Sequence, residues 1–160
     1  MKTCVFAGTF DPITKGHEAI INTCLSIFDE VVIAVGVNAE KRPLFTENER
    51  IALIESAFDG NPRIKVQTFH GLLVEFMREN GYEISVRGIR NVDDYKYENE
   101  MFIYNTEMYP ELKTLFIPSD KETAFISSTA LRALYVAGGD IAVYLPYGAI
   151  NVAKEMLKTK

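Results

Sequence analysis

Short apolar runs alternate along the chain with stretches whose apolar residues recur at helical spacing. The runs predict five β-strands, over residues 3–7, 30–37, 63–69, 83–86 and 113–117. The run from Val31 to Val35 is continuously apolar, which is typical of a parallel strand covered on both faces. The pattern therefore predicts an α/β fold with a doubly wound, five-stranded parallel sheet.

The clearest helix signal is Thr46 followed three residues later by Glu49, a capping box ahead of an apolar face. Other helices are predicted from His17 onward, from near residue 72 to Gly81, and over residues 91–108, 127–137 and 146–158. Ligands of open α/β sheets bind beyond the carboxyl ends of the strands. The segments after the five strands, residues 8–17, 38–43, 70–73, 87–90 and 118–128, should therefore face one crevice.

Length, net charge and cysteine content limit the classes of function that the chain can have. The 160 residues suit one domain spanning 1–160, and the net charge of −5 argues against a broad surface for nucleic acid or anionic membrane. An anionic ligand would therefore need a local basic cluster. No apolar run reaches the ~18 residues of a membrane span, and the two cysteines form no Cys-x-x-Cys pair. We expect a cytoplasmic protein without a disulfide scaffold or zinc site.

The segment after the first strand, GTFDPITKGH, carries the most specific chemistry. Gly8 allows a sharp turn, and Gly16 allows a close approach before the next helix begins. Backbone N–H groups at that helix start make a phosphate seat, to which His17 adds a directional donor. The alternative is that Thr14 only caps the helix and His17 lies on the surface of its first turn.

These residues resemble the HxGH-type nucleotidyltransferase superfamily, whose signature follows the first strand of a Rossmann-like fold. Within it, the run from Thr14 to His17 is similar to that of bacterial phosphopantetheine adenylyltransferases. Further matches, in order and spacing, lie at residues 41–46, 87–90, 94–98 and 125–129. The chain departs from the family at Phe6 and Ala7, where a Tyr-Pro pair is expected, and at Thr129, where a serine is common.

The resemblance implies transfer of the adenylyl group of ATP to 4′-phosphopantetheine, giving dephospho-coenzyme A and pyrophosphate in coenzyme A biosynthesis. A phosphate monoester is already an anionic nucleophile, so the reaction needs in-line positioning rather than a covalent intermediate or an activated side chain. Mg²⁺ is expected to arrive with ATP, resting on phosphates and water, because Asp11 alone makes no metal site. The family also implies a homohexamer, a dimer of trimers, and feedback inhibition by coenzyme A.

Residue roles carried over from the family fall into three groups. His17, Lys41 and Arg90 are the expected catalytic residues. The expected ATP ligands are Gly8, Thr9, Phe10, His17, Gly88, Arg90, Glu98, Ser127, Ser128 and Thr129. The expected phosphopantetheine ligands are Thr9, Lys41, Leu72, Leu73, Arg87, Met101 and Asn105.

Most of these residues also have a structural interpretation. Lys41 is otherwise a solvated loop lysine, and Arg87 and Arg90 a surface pair bridged to Asp93 or Asp94. Glu98 would otherwise lie on a solvated helix face. The two serines can simply cap a helix, and the apolar pantetheine ligands can pack in the core; these are Ser127, Ser128, Leu72, Leu73 and Met101.

Two rival functions remain at this stage. One is a sibling enzyme that adenylylates nicotinate or nicotinamide mononucleotide, or that joins CTP to a polyol phosphate. Thr14, the pair Arg87 and Arg90, and the short chain argue against it. The other is a non-catalytic module that senses ATP or coenzyme A. Its mark would be loss of His17, Lys41 or Arg90, and the chain keeps all three.

Overall fold

The structure is a computed structural model that describes residues 2–37 and 42–160. In these ranges five parallel strands form one sheet, in the order β3-β2-β1-β4-β5. The strands are β1 Thr3–Gly8, β2 Glu30–Val37, β3 Ile64–His70, β4 Ile84–Ile89 and β5 Lys113–Pro118. The predicted fold class is confirmed, and the strand order reverses between β1 and β4.

The helices connect these strands in the expected alternation. They are α1 Lys15–Ile27, α2 Glu47–Ala57, α3 Leu73–Glu79, α4 Val92–Met108, α5 Ser128–Val136 and α6 Ile150–Leu157, with short 3-10 helices at Ala142–Tyr144 and Tyr147–Ala149. Within the described ranges, none of them has the length and apolar character to span a bilayer.

Both faces of the sheet are covered, as the continuous apolar run in β2 predicts. Neighbouring residues of each central strand alternate between two buried clusters: Cys4 and Phe6 of β1 belong to one, Val5 and Ala7 to the other. The residues of β2 divide in the same way. This two-sided burial holds β1 in the centre of the sheet, so the segment that leaves its carboxyl end starts from a fixed position.

Several predicted boundaries differ from the structure by one or more residues. β4 was expected to end at residue 86, but it continues to Ile89, because its pairing with β5 extends from Ile84 to Ile89. Arg87 therefore lies within the strand rather than after it. His70, predicted to lie in a loop, is the last residue of β3.

The helix predicted over residues 146–158 begins later than expected. Pro146 has extended backbone angles, so a 3-10 turn comes first and α6 follows from Ile150. Gly148 in that turn packs against the end of α2, where an added Cβ would lie only 2.1 Å from the carbonyl oxygen of Ser56. The close contact with α2 explains why a glycine stands there.

Candidate functional site

A cleft of about 410 Å³ opens at the carboxyl edge of the sheet, where the strand order reverses. This is the position at which open α/β sheets bind ligands. All the residues that the resemblance assigns to ATP line it: Gly8, Thr9, Phe10, His17, Gly88, Arg90, Glu98, Ser127, Ser128 and Thr129. The segments that the sequence places at strand ends are thus brought together.

A second cavity, of about 310 Å³, adjoins the cleft. Thr9, Arg87 and Glu98 border both spaces. The described residues assigned to phosphopantetheine all line this second cavity: Thr9, Leu72, Leu73, Arg87, Met101 and Asn105. Lys41, the remaining predicted ligand and catalytic residue, lies outside the described residues.

Core packing accounts for only part of the apolar lining of this second cavity. Leu72 is 49% exposed, and Leu73 and Met101 are half-buried. Leu73 also contacts the smaller buried cluster, so it combines some core packing with a place in the cavity wall. Apolar side chains left open to a cavity suit a ligand with an apolar arm.

Phe10 anchors the turn after β1. Its ring is buried, with 1% exposure, and packs over Gly8, where an added Cβ would lie 3.2 Å from the ring. The same ring meets the imidazole of His17 edge-on at 5.0 Å and the ring of Phe6 at 5.6 Å. The φ angle of Phe10 is 49°, a left-handed conformation that this packing must stabilise. Because the side chain is buried, Phe10 has only its backbone to offer a nucleotide.

His17 is both a helix cap and a donor to the cleft. Its Nδ1 accepts the backbone N–H of Thr14 at 3.1 Å, while Thr14 Oγ1 accepts the N–H of His17 at 3.3 Å. Since a backbone amide only donates, Nδ1 is unprotonated, and the neutral ring carries its proton on Nε2. Burial, reinforced by the charge of Arg90, lowers the pKa of His17 to about 4. At neutral pH the ring therefore offers the cleft an uncharged N–H donor.

Asp11 is occupied by the protein's own backbone. Its carboxylate accepts the N–H groups of Leu44 and Phe45 at 2.9 Å and 2.8 Å, and Arg132 lies 3.8 Å away. The carboxylate thus fixes the chain after β2 against the turn after β1. Among the described residues, no group of three or more His, Cys, Asp or Glu side chains could hold a metal ion together.

Arg87 and Glu98 form a two-pronged ion pair between the two cavities. The Arg87 Nε and Nη2 groups donate to the two carboxylate oxygens at 2.7 Å and 2.6 Å, and Nη1 donates to the carbonyl of Ala7 at 2.9 Å. The Glu98 side chain is 13% exposed, so it does not lie on a solvated helix face. The sequence did not predict this partner.

Arg90 pairs with Asp94, one of the two partners that the sequence left open. The guanidinium donates to the carboxylate at 2.8 Å and 3.0 Å, and the Arg90 N–H donates to it at 3.1 Å. The hydrogen bond from Arg90 lowers the pKa of Asp94, and the same bond raises the pKa of Arg90. Arg87 of β4 and Arg90, which directly follows that strand, are thus both present in the site, held by acids of α4.

The serines at the start of α5 have structural roles as well as a place in the cleft. Ser127 Oγ accepts the N–H of Ala130 at 3.1 Å, which caps α5. Ser128 Oγ donates to the carbonyl of Pro12 at 2.8 Å and so ties α5 to the turn after β1. Arg132, on the same helix, lines the cleft and donates to the carbonyl of Asp11 at 2.8 Å. Sequence reasoning missed Arg132, although it stands one turn after the serines.

Comparison with known proteins identifies the family to which the chain is similar. The cytidylyltransferase-like family model matches residues 5–134. A phosphopantetheine adenylyltransferase of Heliobacterium modesticaldum is 42% identical over 146 residues, 91% of this chain and 87% of that protein. One of Thermotoga neapolitana is 40% identical over 154 residues, 96% of both chains.

Solved structures agree on the fold. A bifunctional NMN adenylyltransferase/ADP ribose pyrophosphatase of Francisella tularensis superimposes with a TM-score of 0.78 at 20% identity. The match covers 100% of this chain and 51% of that one, so this chain spans about half of the larger protein. The same enzyme complexed with AMP and a Mn ion gives a TM-score of 0.72 at 19% identity, covering 98% of this chain and 49% of the other.

Proposed function

The chain belongs to the phosphopantetheine adenylyltransferases of the cytidylyltransferase-like family, and from this membership we propose how its two adjoining cavities work. ATP occupies the larger cleft and 4′-phosphopantetheine the smaller one. The proposal rests on the observation that Thr9 and Arg87 border both cavities, so the two reacting phosphates can meet there. The products are dephospho-coenzyme A and pyrophosphate.

The reaction is a direct displacement at the α-phosphorus of ATP. A phosphate oxygen of 4′-phosphopantetheine forms the new bond to the α-phosphorus, and the bond from the α-phosphorus to the oxygen that bridges to the β-phosphorus breaks. Pyrophosphate leaves with that electron pair, so no side chain forms a covalent bond. The step is reversible, because pyrophosphate can attack dephospho-coenzyme A along the same line.

His17 is proposed to donate its Nε2–H to the α-phosphate as charge builds on it. The neutral ring supports this role, because the lowered pKa keeps Nδ1 free to accept the Thr14 amide throughout the neutral range. Arg90 and the start of α5, with Ser127, Ser128 and Thr129, are proposed to hold the triphosphate. Lys41 is proposed to contact both substrates' phosphates, as the family implies.

Arg87 and Glu98 are proposed to exchange partners when the substrates bind. Glu98 accepts hydrogen bonds from the adenosine ribose, and Arg87 turns to the phosphate of phosphopantetheine. Arg87 borders both cavities and its side chain is 27% exposed, which supports this exchange. Mg²⁺ is proposed to bind on the ATP phosphates and to neutralise part of their charge.

Cellular properties follow the family and are proposals of the same kind. We propose a cytoplasmic enzyme of coenzyme A biosynthesis, inhibited by coenzyme A, that assembles as a homohexamer. Sedimentation of the purified protein tests the assembly: the expected mass is about 108 kDa, six times the 18.0 kDa chain. A mass near that of one chain would refute the hexamer.

The activity is tested by offering the purified protein ATP and Mg²⁺ with one acceptor at a time. The acceptors are 4′-phosphopantetheine, nicotinamide mononucleotide and nicotinate mononucleotide, and the products are followed by mass spectrometry together with pyrophosphate release. Dephospho-coenzyme A is expected from the first acceptor alone. Robust product from a mononucleotide, with none from phosphopantetheine, would replace the proposed function with the sibling activity.

A further inference from the structure

Arg50 of α2 is a buried arginine whose position is not explained by an ion pair. It is 3% exposed, and it forms no salt bridge with a residue in the ranges 2–37 and 42–160. Its Nη1 donates to the carbonyl of Thr9 at 2.7 Å and to that of Gly36 at 3.0 Å. Its Nε is buried without a partner among the described residues.

Such an arrangement is costly, because a buried charge is normally paired with an opposite one. The cost is offset by two carbonyls at the ends of β1 and β2, which the guanidinium ties together. Arg50 also borders a cavity of about 250 Å³ together with Thr9, Gly36 and Phe69. Those three residues also line the second cavity, and Thr9 borders the 410 Å³ cleft as well. The charge of Arg50 therefore lies behind the turn at which the two reacting phosphates are proposed to meet.

The contact with Thr9 sets the direction of one backbone donor. The peptide bond between Thr9 and Phe10 is planar, and in a trans peptide the carbonyl and the N–H point in opposite directions. With the Thr9 carbonyl held on Arg50, the Phe10 N–H points away from Arg50. It donates to no residue in the described part of the chain, and Phe10 lines the 410 Å³ cleft although its ring is buried.

We propose that Arg50 is a positioning residue for adenylyl transfer. It holds the Thr9–Phe10 peptide so that the Phe10 amide donates to the ATP phosphates, and its charge attracts those phosphates from behind the turn. The inference rests on the proposed function, because the rate measurements that test it need adenylyl transfer. It assigns Arg50 no direct contact with substrate.

A second arginine provides a matched control. Arg63, just before β3, also binds only backbone carbonyls: Nε donates to Asp29 at 3.0 Å, and Nη2 to Phe28 and Leu25 at 2.6 Å and 2.5 Å. It lies at the amino edge of the sheet, far from the cleft. Arg63 is exposed whereas Arg50 is buried, so the two arginines match in their carbonyl contacts and not in their contribution to stability. A purely structural clamp at either position should leave kcat of the folded protein unchanged.

The test compares Arg50→Met with Arg63→Met, with Arg50→Lys as the conservative variant. Circular dichroism first selects a temperature at which each protein is folded, and kcat and KM for ATP are then measured. We expect Arg50→Met to lower kcat about 10-fold to 100-fold, as for loss of an oriented donor, and Arg50→Lys to recover most of that loss. Arg63→Met is expected to leave kcat within about twofold. Folded Arg50→Met with the wild-type kcat and KM would overturn the proposal.

A measurement on the unaltered protein covers the case in which Arg50→Met does not fold. The Phe10 amide proton, observed by NMR after ¹⁵N-phenylalanine labelling, should shift downfield when ATP is added, because it gains a charged acceptor. An amide that does not respond to saturating ATP would overturn the proposal. This readout needs ATP alone, so it stays valid if phosphopantetheine proves not to be the acceptor.

Discussion

The β1–α1 junction, residues 8–17, is held by buried side chains and backbone hydrogen bonds, whereas the β4–α4 junction, residues 87–98, is held by ion pairs. In the first, Phe10, Asp11 and Thr14 are all at most 2% exposed. In the second, the described side chains of α4 include none that is fully buried. The two junctions follow neighbouring strands and form two walls of one cleft, yet different interactions hold them.

The difference indicates a division of labour. Buried packing fixes the turn after β1 before any ligand arrives, which suits a site for the phosphates at which charge develops. The Arg90–Asp94 pair, with side chains 37% and 21% exposed, can exchange its protein partner for a ligand at modest cost. The more buried Arg87–Glu98 pair can do so only if ligand groups replace the hydrogen bonds that it loses. The first wall is preorganised, and the second can adjust to the substrates.

The largest expected effect is on stability, from Phe10→Ala. Removing this buried ring should lower the free energy of unfolding by about 3–5 kcal/mol. The matched change on the other wall is Tyr95→Ala, whose ring is 48% exposed and stacks edge-on against Phe116 at 5.7 Å. It should cost less than about 1.5 kcal/mol. Urea unfolding at equal protein concentration measures both, and equal losses would show that the walls do not differ in this way.

The next effect is catalytic. His17→Ala should lower kcat about 100-fold to 1,000-fold while ATP still binds, because the Nε2–H donor acts mainly as the transition state forms. His70→Ala is the control, since His70 is exposed at the end of β3 and is the other of the chain's 2 histidines. Steady-state pyrophosphate release gives both rates. A His17→Ala enzyme with the wild-type kcat would remove His17 from the chemistry.

The pH dependence of stability should separate the walls. The pKa of His17 is lowered from 6.5 to about 4, so between these values the unfolded chain binds a proton that the folded one does not. Stability should therefore fall as the pH drops from about 6.5 to 4, by up to about 3 kcal/mol at 1.36 kcal/mol per pKa unit. His17→Gln should abolish this slope in denaturant titrations.

Asp94, on the other wall, responds in a different pH range. Its pKa is lowered from the ordinary 3.8 by the hydrogen bond from Arg90, so its stabilising contribution is present above that value and is lost only as the pH falls below it. An unchanged slope above pH 4 in His17→Gln would mean that another group carries the first transition.

The smallest effect is expected from Asp94→Asn. The Arg90–Asp94 pair joins residues four apart at the start of α4 and reaches solvent, so its loss should change the free energy of unfolding by about 0.2–1 kcal/mol. It should also lower KM for ATP slightly, because Arg90 no longer has a competing carboxylate. Glu155→Gln, which breaks a remote pair with Lys158, is the control. A large loss of stability in Asp94→Asn would show that this wall is as rigid as the other.

The fold was largely readable from the sequence, because buried parallel strands leave continuous apolar runs and capping boxes mark helix starts. The predicted end of β4 was wrong because pairing with a neighbouring strand overrides the strand preferences of the residues. Arg87 and Gly88 have little strand preference, yet they continue β4 because β5 pairs with them. That long-range pairing leaves no signal in the local pattern.

The site was predictable as a set of segments, since motifs at strand ends must meet at one edge. Its internal pairings were not. Whether Arg87 bonds to Glu98 or Asp94 depends on which face α4 turns to the sheet, and α4 alternates too weakly to reveal it. Arg50 and Arg132 were missed because each is a lone arginine in a helix, and only the backbone carbonyls that they bind show their role.

The two walls are joined by a short stretch of pairing between β1 and β4. β1 and β2 pair from Thr3 to Gly8, but β1 and β4 pair in register only at Val5 with Ser85 and Phe6 with Val86, across 80 residues of chain. Long-range contacts form late in folding, because their loops are entropically costly to close. We therefore expect the pairing of β1 with β4 to form late in folding and to open more readily than the pairing of β1 with β2. A nucleotide that contacts both walls would stabilise the closed form. Substrate should therefore suppress this opening and slow amide hydrogen exchange along β4.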